Sequence, residues 1–485
     1  MAELGNITLF MALALTTYGA LGSILGAVRS SPLLVESSYK ATYAIALVCT
    51  VSTACLVGSF VTNDFQVAYV ANHSSRAMDV QYIWVAFYAG NEGSLLFIAL
   101  ALSILCTFAI YYRHIASTDI MPYVNFVLML VMLFFLAVMA FLANPFDKLD
   151  FTPIDGQGIN PLLTHPGMFI HPPVLMTGLI SFSIPFAFGM GSMISGRTRD
   201  EWVDAGRTWG LISWVLLGIG LLLGSWWAYT ILGWGGYWAW DPVENAGFMP
   251  WIAMTAFIHS IMVQKRRGMF RMWNMALIII SFAFAQFGMF INRGGPVPSV
   301  HSFGQSTLGW IFLMFMAFTV VISFAIFFFR YKTLQSEENL ESAVSRESAF
   351  LLNNLMLLAV SFVTLWGVIF PLISELTTGE IITVGAPFYN QVNGPLFLGL
   401  ILLMGVAPYI PWRRSSLGVI RRALFYPSIL SVCSVVVLFI VGLREIFALI
   451  AFSLCIFVLG GILQEWFRGI MARRQLGENY FFGFV

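Results

Sequence analysis

Long apolar runs alternate with short charged segments along the whole chain. A helix needs roughly 20 consecutive apolar residues to cross a bilayer. The sequence offers thirteen such runs, at 7–27, 41–61, 93–112, 121–142, 173–195, 208–228, 248–264, 273–292, 308–329, 351–373, 393–411, 424–442 and 446–466. The last two read as a tight helical hairpin turning at Leu443 to Glu445. No low-complexity segment, soluble domain or clear internal repeat interrupts them. The pattern predicts an all-α, polytopic integral membrane protein of about thirteen transmembrane helices, with residues 1–485 as a single transmembrane domain.

Composition supports this reading. The chain is 59% hydrophobic and 10% charged, whereas soluble domains average about 25% charged residues. A net charge of +1 selects no acidic or basic partner, and no nucleic-acid partner is expected. The distribution of charge is more informative. Twenty of the 24 lysines and arginines fall in alternate connections, and only Arg76, Lys148, Arg293 and Arg444 fall in the others. The positive-inside rule then puts the N-terminus outside and the C-terminus in the cytoplasm. The N-terminus lacks the charged stretch of a cleavable signal, and the first run is long enough to span. Cys49, Cys55, Cys106, Cys433 and Cys455 each sit in an apolar run without a C-x-x-C pair. They read as small buried residues with no thiol chemistry and no disulfide.

One outer connection differs from the rest. Segment 225–251, SWWAYTILGWGGYWAWDPVENAGFMPW, holds Trp226, Trp227, Trp234, Trp238, Trp240 and Trp251, six of the 15 tryptophans. Tryptophan is common at membrane interfaces, but an interfacial belt would spread it over many helix ends. Here the rings share one loop with Gly235, Gly236, Asp241, Pro242, Glu244 and Asn245. A dense aromatic shelf with a few polar groups suits a large, flat, conjugated ligand.

Histidine placement points the same way. His171 opens the fifth run in GMFIHPPVL, and His301 lies in GGPVPSVHSFG, so the two flank the tryptophan segment from neighbouring outer connections. Neutral imidazole is a good axial ligand for haem iron. The pair reads either as a bis-histidine haem site or as two unrelated surface histidines. His259 lies within the seventh run, where ionisable residues are rare and usually functional. It reads as a ligand to a transmembrane b-haem or as a histidine bonded to a neighbouring helix. His165, six residues before His171, is a candidate to bond to and orient an iron ligand or to serve as an alternative ligand, and His73 and His114 attract no assignment.

The segment WGGYWAWDPVENAGFMPW resembles the signature of the WWD-domain haem-handling family. The resemblance covers essentially the whole chain, through YAGNEGSLL, FLANPF, HPPVLMTGLISFS, FIHSIMVQKR, INRGGPVPSVHSFG, SRESAFLLNNLMLL and GAPFYN. It is to the CcmF branch, the haem lyase of the multi-component cytochrome c maturation system; the smaller CcmC-type handlers share the loop but have fewer spans. The resemblance implies that His171 and His301 are the outer iron ligands and His259 one ligand of a transmembrane b-haem. It matches Trp234, Gly235, Trp238, Trp240 and Asp241 to the core of the haem-holding loop. The implied reaction joins the vinyl groups of haem b to the cysteines of a C-x-x-C-H motif in apocytochrome c. The implied partners are the haem chaperone CcmE, CcmH and, where it exists, CcmI. The implied location is the bacterial inner (cytoplasmic) membrane, or the mitochondrial inner membrane equivalent, with the site on the periplasmic side.

One departure matters. Family members of usual length carry a second transmembrane histidine, a soluble outer domain and a last span, but no histidine follows His301 here. The expectation is that these C-terminal parts are absent from the 485 residues. Either a separately encoded C-terminal portion supplies the second ligand, or the chain is shortened and the b-haem is lost or ligated otherwise. Two rival classes stand beside the lyase. A haem exporter or other secondary transporter would carry paired broken helices or a buried charge array, which the sequence lacks. A b-type electron-transfer subunit would need two histidines per haem within the spans, and only His259 qualifies.

Overall fold

The computed structural model describes residues 1–475 apart from 234, 295–296, 298, 300–305, 337, 339 and 413–416. Thirteen of its helices are long and apolar enough to cross a membrane. They are α1 (Ala2–Val28), α2 (Pro32–Val61), α3 (Asn91–Tyr111), α4 (Met121–Phe141), α5 (Pro166–Ser195), α6 (Val203–Ile231), α7 (Pro242–Arg267), α8 (Arg271–Asn292), α9 (Leu308–Phe329), α10 (Arg346–Thr378), α11 (Ala386–Tyr409), α12 (Ile420–Val441) and α13 (Ile446–Arg474). No strand occurs among the described residues. Each helix matches one predicted run, and the differences lie at the ends. Helix α2 starts at Pro32, with proline in the first helical turn, rather than at 41. An apolar run stops at Glu36 and Lys40, but the helix continues through them, and Glu36 pairs with Arg113 at 3.5 Å.

The chain forms two compact units, Met1–Ser336 with Val368–Val384, and Glu337–Gly367 with Gly385–Val485. In the first, α1 and α2 pack closely because small residues face each other. A Cβ on Gly26 would fall 2.8 Å from Val35 Cγ2. Small-residue seams of this kind drive helix association in lipid, where hydrophobicity cannot. A buried polar clasp adds to it. Asn125 Nδ2 on α4 donates to Ser23 Oγ at 2.8 Å, and Thr42 Oγ1 donates to Asn125 Oδ1 at 2.9 Å.

A close crossing joins α5 and α6. A Cβ on Gly178 would lie 2.7 Å from the Leu217 main chain, and one on Gly220 would lie 2.7 Å from Leu175 Cα. One turn on, Gly224 leaves room for the His171 ring, whose Cε1 would be 2.5 Å from a Cβ there. Ahead of α3, the short helix Ala68–His73 is fixed by two main-chain bonds, Ala68 N to Asp147 O at 2.9 Å and Leu149 N to Gln66 O at 2.8 Å. Tyr69 is buried beneath it and receives the Gly90 N–H on its hydroxyl at 2.9 Å.

In the second unit, Arg346 at the start of α10 donates to the Ile410 and Pro408 carbonyls at 2.8 and 2.6 Å. Tyr409 donates to Gly461 O at 2.7 Å, which ties α11 to α13. Cys49, Cys55 and Cys106 are buried as expected, but Cys433 and Cys455 are exposed. The reason is that α12 and α13 turn much of their apolar surface outward rather than into a protein core.

Gly220→Val should destabilise the chain by about 1–3 kcal/mol, the usual cost of forcing volume into a packed interior. Gly394→Ala, where a Cβ meets nothing within 4 Å, should be neutral by comparison. Thermal unfolding midpoints in one detergent check the pair.

Candidate functional site

The shelf is built mainly on helix ends. Trp226 and Trp227 occupy the last turns of α6, Pro242, Glu244 and Asn245 the first turns of α7, and only 232–241 connect them. The apolar runs end before the helices do, which is why 225–251 reads as a loop. Trp227 is buried and Trp226 partly exposed. Trp234 lies outside the described residues.

Asp241 and Glu244 hold the connection in shape. Asp241 caps α7, accepting from Val243 N at 3.0 Å, and Glu244 reaches back to the N–H groups of Asp241 and Ala239 at 3.3 and 3.1 Å. This is a capping box with proline in the first turn, a combination legible in DPVE. Ser299 donates to the same capping oxygen, Asp241 Oδ2, at 2.6 Å. Trp240 takes a left-handed backbone, φ +59°, and Asn245 Nδ2 donates to its carbonyl at 2.9 Å. The result is an aromatic cluster in which Trp238 meets Trp240 edge-on at 5.8 Å and Phe248 at 5.6 Å. Tyr229 and Tyr237 stack at 4.3 Å. Around Gly233, Gly235 and Gly236 a Cβ would meet no atom within 4 Å, so these glycines of the connection are not packed against the rest of the described residues.

His171 sits in the first turn of the helical segment His171–Ser181 of α5, half-buried. Its Nδ1 lies 2.9 Å from the Gly220 carbonyl. A carbonyl only accepts, so Nδ1 carries the proton and the neutral ring keeps its lone pair on Nε2. The ring lies nearly parallel to Trp227, at 15° and 6.5 Å. His165 behaves differently. Its Nδ1 accepts from Gly167 N at 3.0 Å, which leaves Nε2 to donate to Thr230 Oγ1 at 3.3 Å. Both nitrogens are engaged, so His165 is a brace between the start of α5 and the end of α6. His301 lies outside the described residues.

His259 is exposed on α7, with Nδ1 2.7 Å from Thr255 O. The same helix face carries Thr255, which accepts from Trp214 Nε1 at 2.8 Å, and Trp251, stacked on Trp214 at 5.3 Å. Nδ1 again donates to a carbonyl, and the lone pair again falls on Nε2.

His171 and Trp227 also line a cavity of about 670 Å³. It gathers the starts of α3, α5 and α7 and the ends of α6 and α8, through Asn91, His171, Val243, Trp227 and Asn292. Sequence reasoning missed its second histidine, His73. The His73 ring lies against Tyr69 at 4.3 Å, tilted by 33°, and its Nδ1 lies 3.0 Å from the Tyr69 carbonyl. Burial pushes its pKa down, while the Tyr69 carbonyl and Glu92 oppose this. Nothing in the sequence marks His73, because its cavity neighbours are remote segments.

The family of the cytochrome c assembly protein matches residues 88–294. The chain is 35% identical over 424 residues to the cytochrome c-type biogenesis protein CcmF of Haemophilus influenzae, covering 87% of this chain and 65% of that protein. It is 34% identical over 465 residues to the cytochrome c-type biogenesis protein ccl1 of Rhodobacter capsulatus, covering 96% of this chain and 71% of that one. A solved structure of the cytochrome c haem lyase CcmF superposes with a TM-score of 0.80 at 30% identity, covering 100% of this chain and 75% of that one. The chain thus spans about two thirds of the length of the curated relatives it matches.

Asp241→Ala should remove the cap and cost about 1 kcal/mol. Asp241→Asn, which can still cap, should cost much less. Hydrogen exchange resolved to residues 239–245 checks this: the alanine variant should exchange faster there than the asparagine variant.

Proposed function

Since the chain belongs to the CcmF family of cytochrome c-type biogenesis proteins, we propose that it is the haem-holding part of a cytochrome c haem lyase. The observation that carries this reading is the state of His171. Its tautomer is fixed by the Gly220 carbonyl, so that the lone pair falls on Nε2, the nitrogen that would ligate iron, and its ring lies nearly parallel to Trp227 in the aromatic shelf.

In this reading haem b is the substrate, held with its plane against Trp238, Trp240 and their neighbours. Trp226, Trp227, Trp234, Gly235 and Gly236 complete the shelf. Asp241, Pro242, Glu244 and Asn245 serve it by shaping the loop. His171 and His301 keep the iron six-coordinate until the histidine of the C-x-x-C-H motif replaces one of them. Each thiol then adds across a vinyl group. The sulfur bonds to the carbon attached to the ring, the thiol proton ends on the terminal carbon, and nothing is oxidised or reduced overall. Catalysis is chiefly positioning.

The substrate iron reacts as ferrous haem. His259 is the residue that would hold a b-haem in the membrane, and such a haem would supply the electron that keeps it so. The charge asymmetry of the connections supports a shelf on the periplasmic side of a bacterial inner membrane. CcmE as haem donor, and CcmH with CcmI on the thiol side, are the partners this reading takes.

His171→Ala should insert normally and lower cytochrome c yield by roughly tenfold or more, since a lost iron bond exceeds the ~1.4 kcal/mol that a factor of ten represents. Added imidazole should restore part of the yield. Normal yield would remove His171 from the iron. Trp238→Ala should weaken haem retention by roughly three- to tenfold, with Trp238→Phe milder because ring stacking survives. Haem titration followed by absorbance reads both variants; a phenylalanine variant worse than alanine would replace stacking by an indole N–H contact.

A further inference from the structure

The cavity beside His171 differs chemically from the shelf. One side is apolar, with Tyr88, Met168 and Leu175. The other carries four carboxamides, Asn72, Asn91, Asn160 and Asn292, together with His73 and Glu92. In three of these amides Oδ1 is already engaged. Asn72 accepts from Gln157 Nε2, Asn160 from Leu162 N and Asn91 from Arg293 Nη1. Their Nδ2 groups remain as donors suited to main-chain carbonyls.

Among the described residues no lysine or arginine lines the cavity. Arg293 is buried and donates to Asn91 and Ser94. Glu92 acts on its charge electrostatically. A haem would bring two carboxylates against Glu92 with no new cation to meet them. An uncharged, extended peptide meets no such penalty, and a volume of about 670 Å³ accommodates a few of its residues.

His73 adds a directional group. With Nδ1–H given to the Tyr69 carbonyl, the neutral ring presents Nε2 as an acceptor. Burial favours that neutral form.

We propose that this cavity seats the thiol-bearing segment of the apocytochrome, and that His73 Nε2 accepts the hydrogen bond of an incoming cysteine thiol. The inference rests on the lyase reading and adds where the second substrate sits. His171 and Trp227 belong both to the cavity and to the shelf, so a peptide seated there holds its thiols beside the haem.

The test uses the full chain in lipid nanodiscs, loaded with haem, and a synthetic peptide carrying Cys-Ala-Ala-Cys-His with a photoreactive benzophenone next to the first cysteine. Crosslinks should map to 72–92 and 158–176. Leu162→Trp, which fills the cavity from a half-exposed position, should weaken peptide binding by roughly tenfold and leave the haem spectrum unchanged. His73→Phe keeps a ring against Tyr69 and removes the acceptor. It should preserve the crosslinks and abolish any preference for the cysteine peptide over its alanine analogue. Crosslinks elsewhere, with thioethers still formed, overturn the inference and leave the lyase reading standing. Displacement of haem rather than peptide by Leu162→Trp assigns the cavity to haem and also overturns it. Crosslinks at the named segments without any thioether product support the seat and sink the lyase reading.

Discussion

Where α5 crosses α6, the two backbones come too close for any side chain to stand between them, at Gly178 from one side and Gly220 from the other. That approach exposes the Gly220 carbonyl to the first turn of α5, and His171 takes it. A wider crossing would leave the imidazole free to rotate and to exchange tautomers. The narrow one fixes ring plane, proton and lone pair together, and places the ring against Gly224 and parallel to Trp227. His165 braces the same junction through Gly167 and Thr230. Histidines that bind metals commonly get their orientation from such an outer partner; the His171 ring gets its own from a glycine seam.

The connection above this seam is rigid in its frame and open at its face. Its main-chain polar groups are met within a few residues: Ala239 and Asp241 by Glu244, Val243 by the Asp241 side chain, and the Trp240 carbonyl by Asn245. Each such bond left unmade in a desolvated setting would cost about 1–3 kcal/mol. The acidic residues are thus occupied with the backbone, while the rings are presented by it. A surface of this kind can bind by shape and stacking without rearranging, which keeps the ordering cost of binding low.

The helices were legible because apolar runs of bilayer length are an almost unambiguous signal. Their ends were not, since Glu36 and Lys40 stop a hydropathy run without stopping a helix. The tryptophan cluster and His171 stood out by composition and position. The division of labour inside the cluster did not, although D-P-V-E is a recognisable cap that assigns Asp241 and Glu244 to the backbone. The opposite error befell His73. Its significance lies in Gly90, Asn91, Asn160 and His171 converging on one cavity, and contacts between remote segments leave no periodic trace.

Trp240 has one further implication. A bulky residue at φ +59° sits in a region that costs of order 1–3 kcal/mol to occupy. What keeps it there comes from outside the turn itself: Asn245 on the following helix, the cap at Asp241, and Ser299 beyond α8 holding that cap. The tryptophan motif is therefore not portable. Cut out as a linear peptide or grafted between two unrelated helices, it would relax into an ordinary turn and scatter its rings. Engineering this surface into another scaffold means transplanting the Ser299 support from beyond α8 together with the signature, not the signature alone.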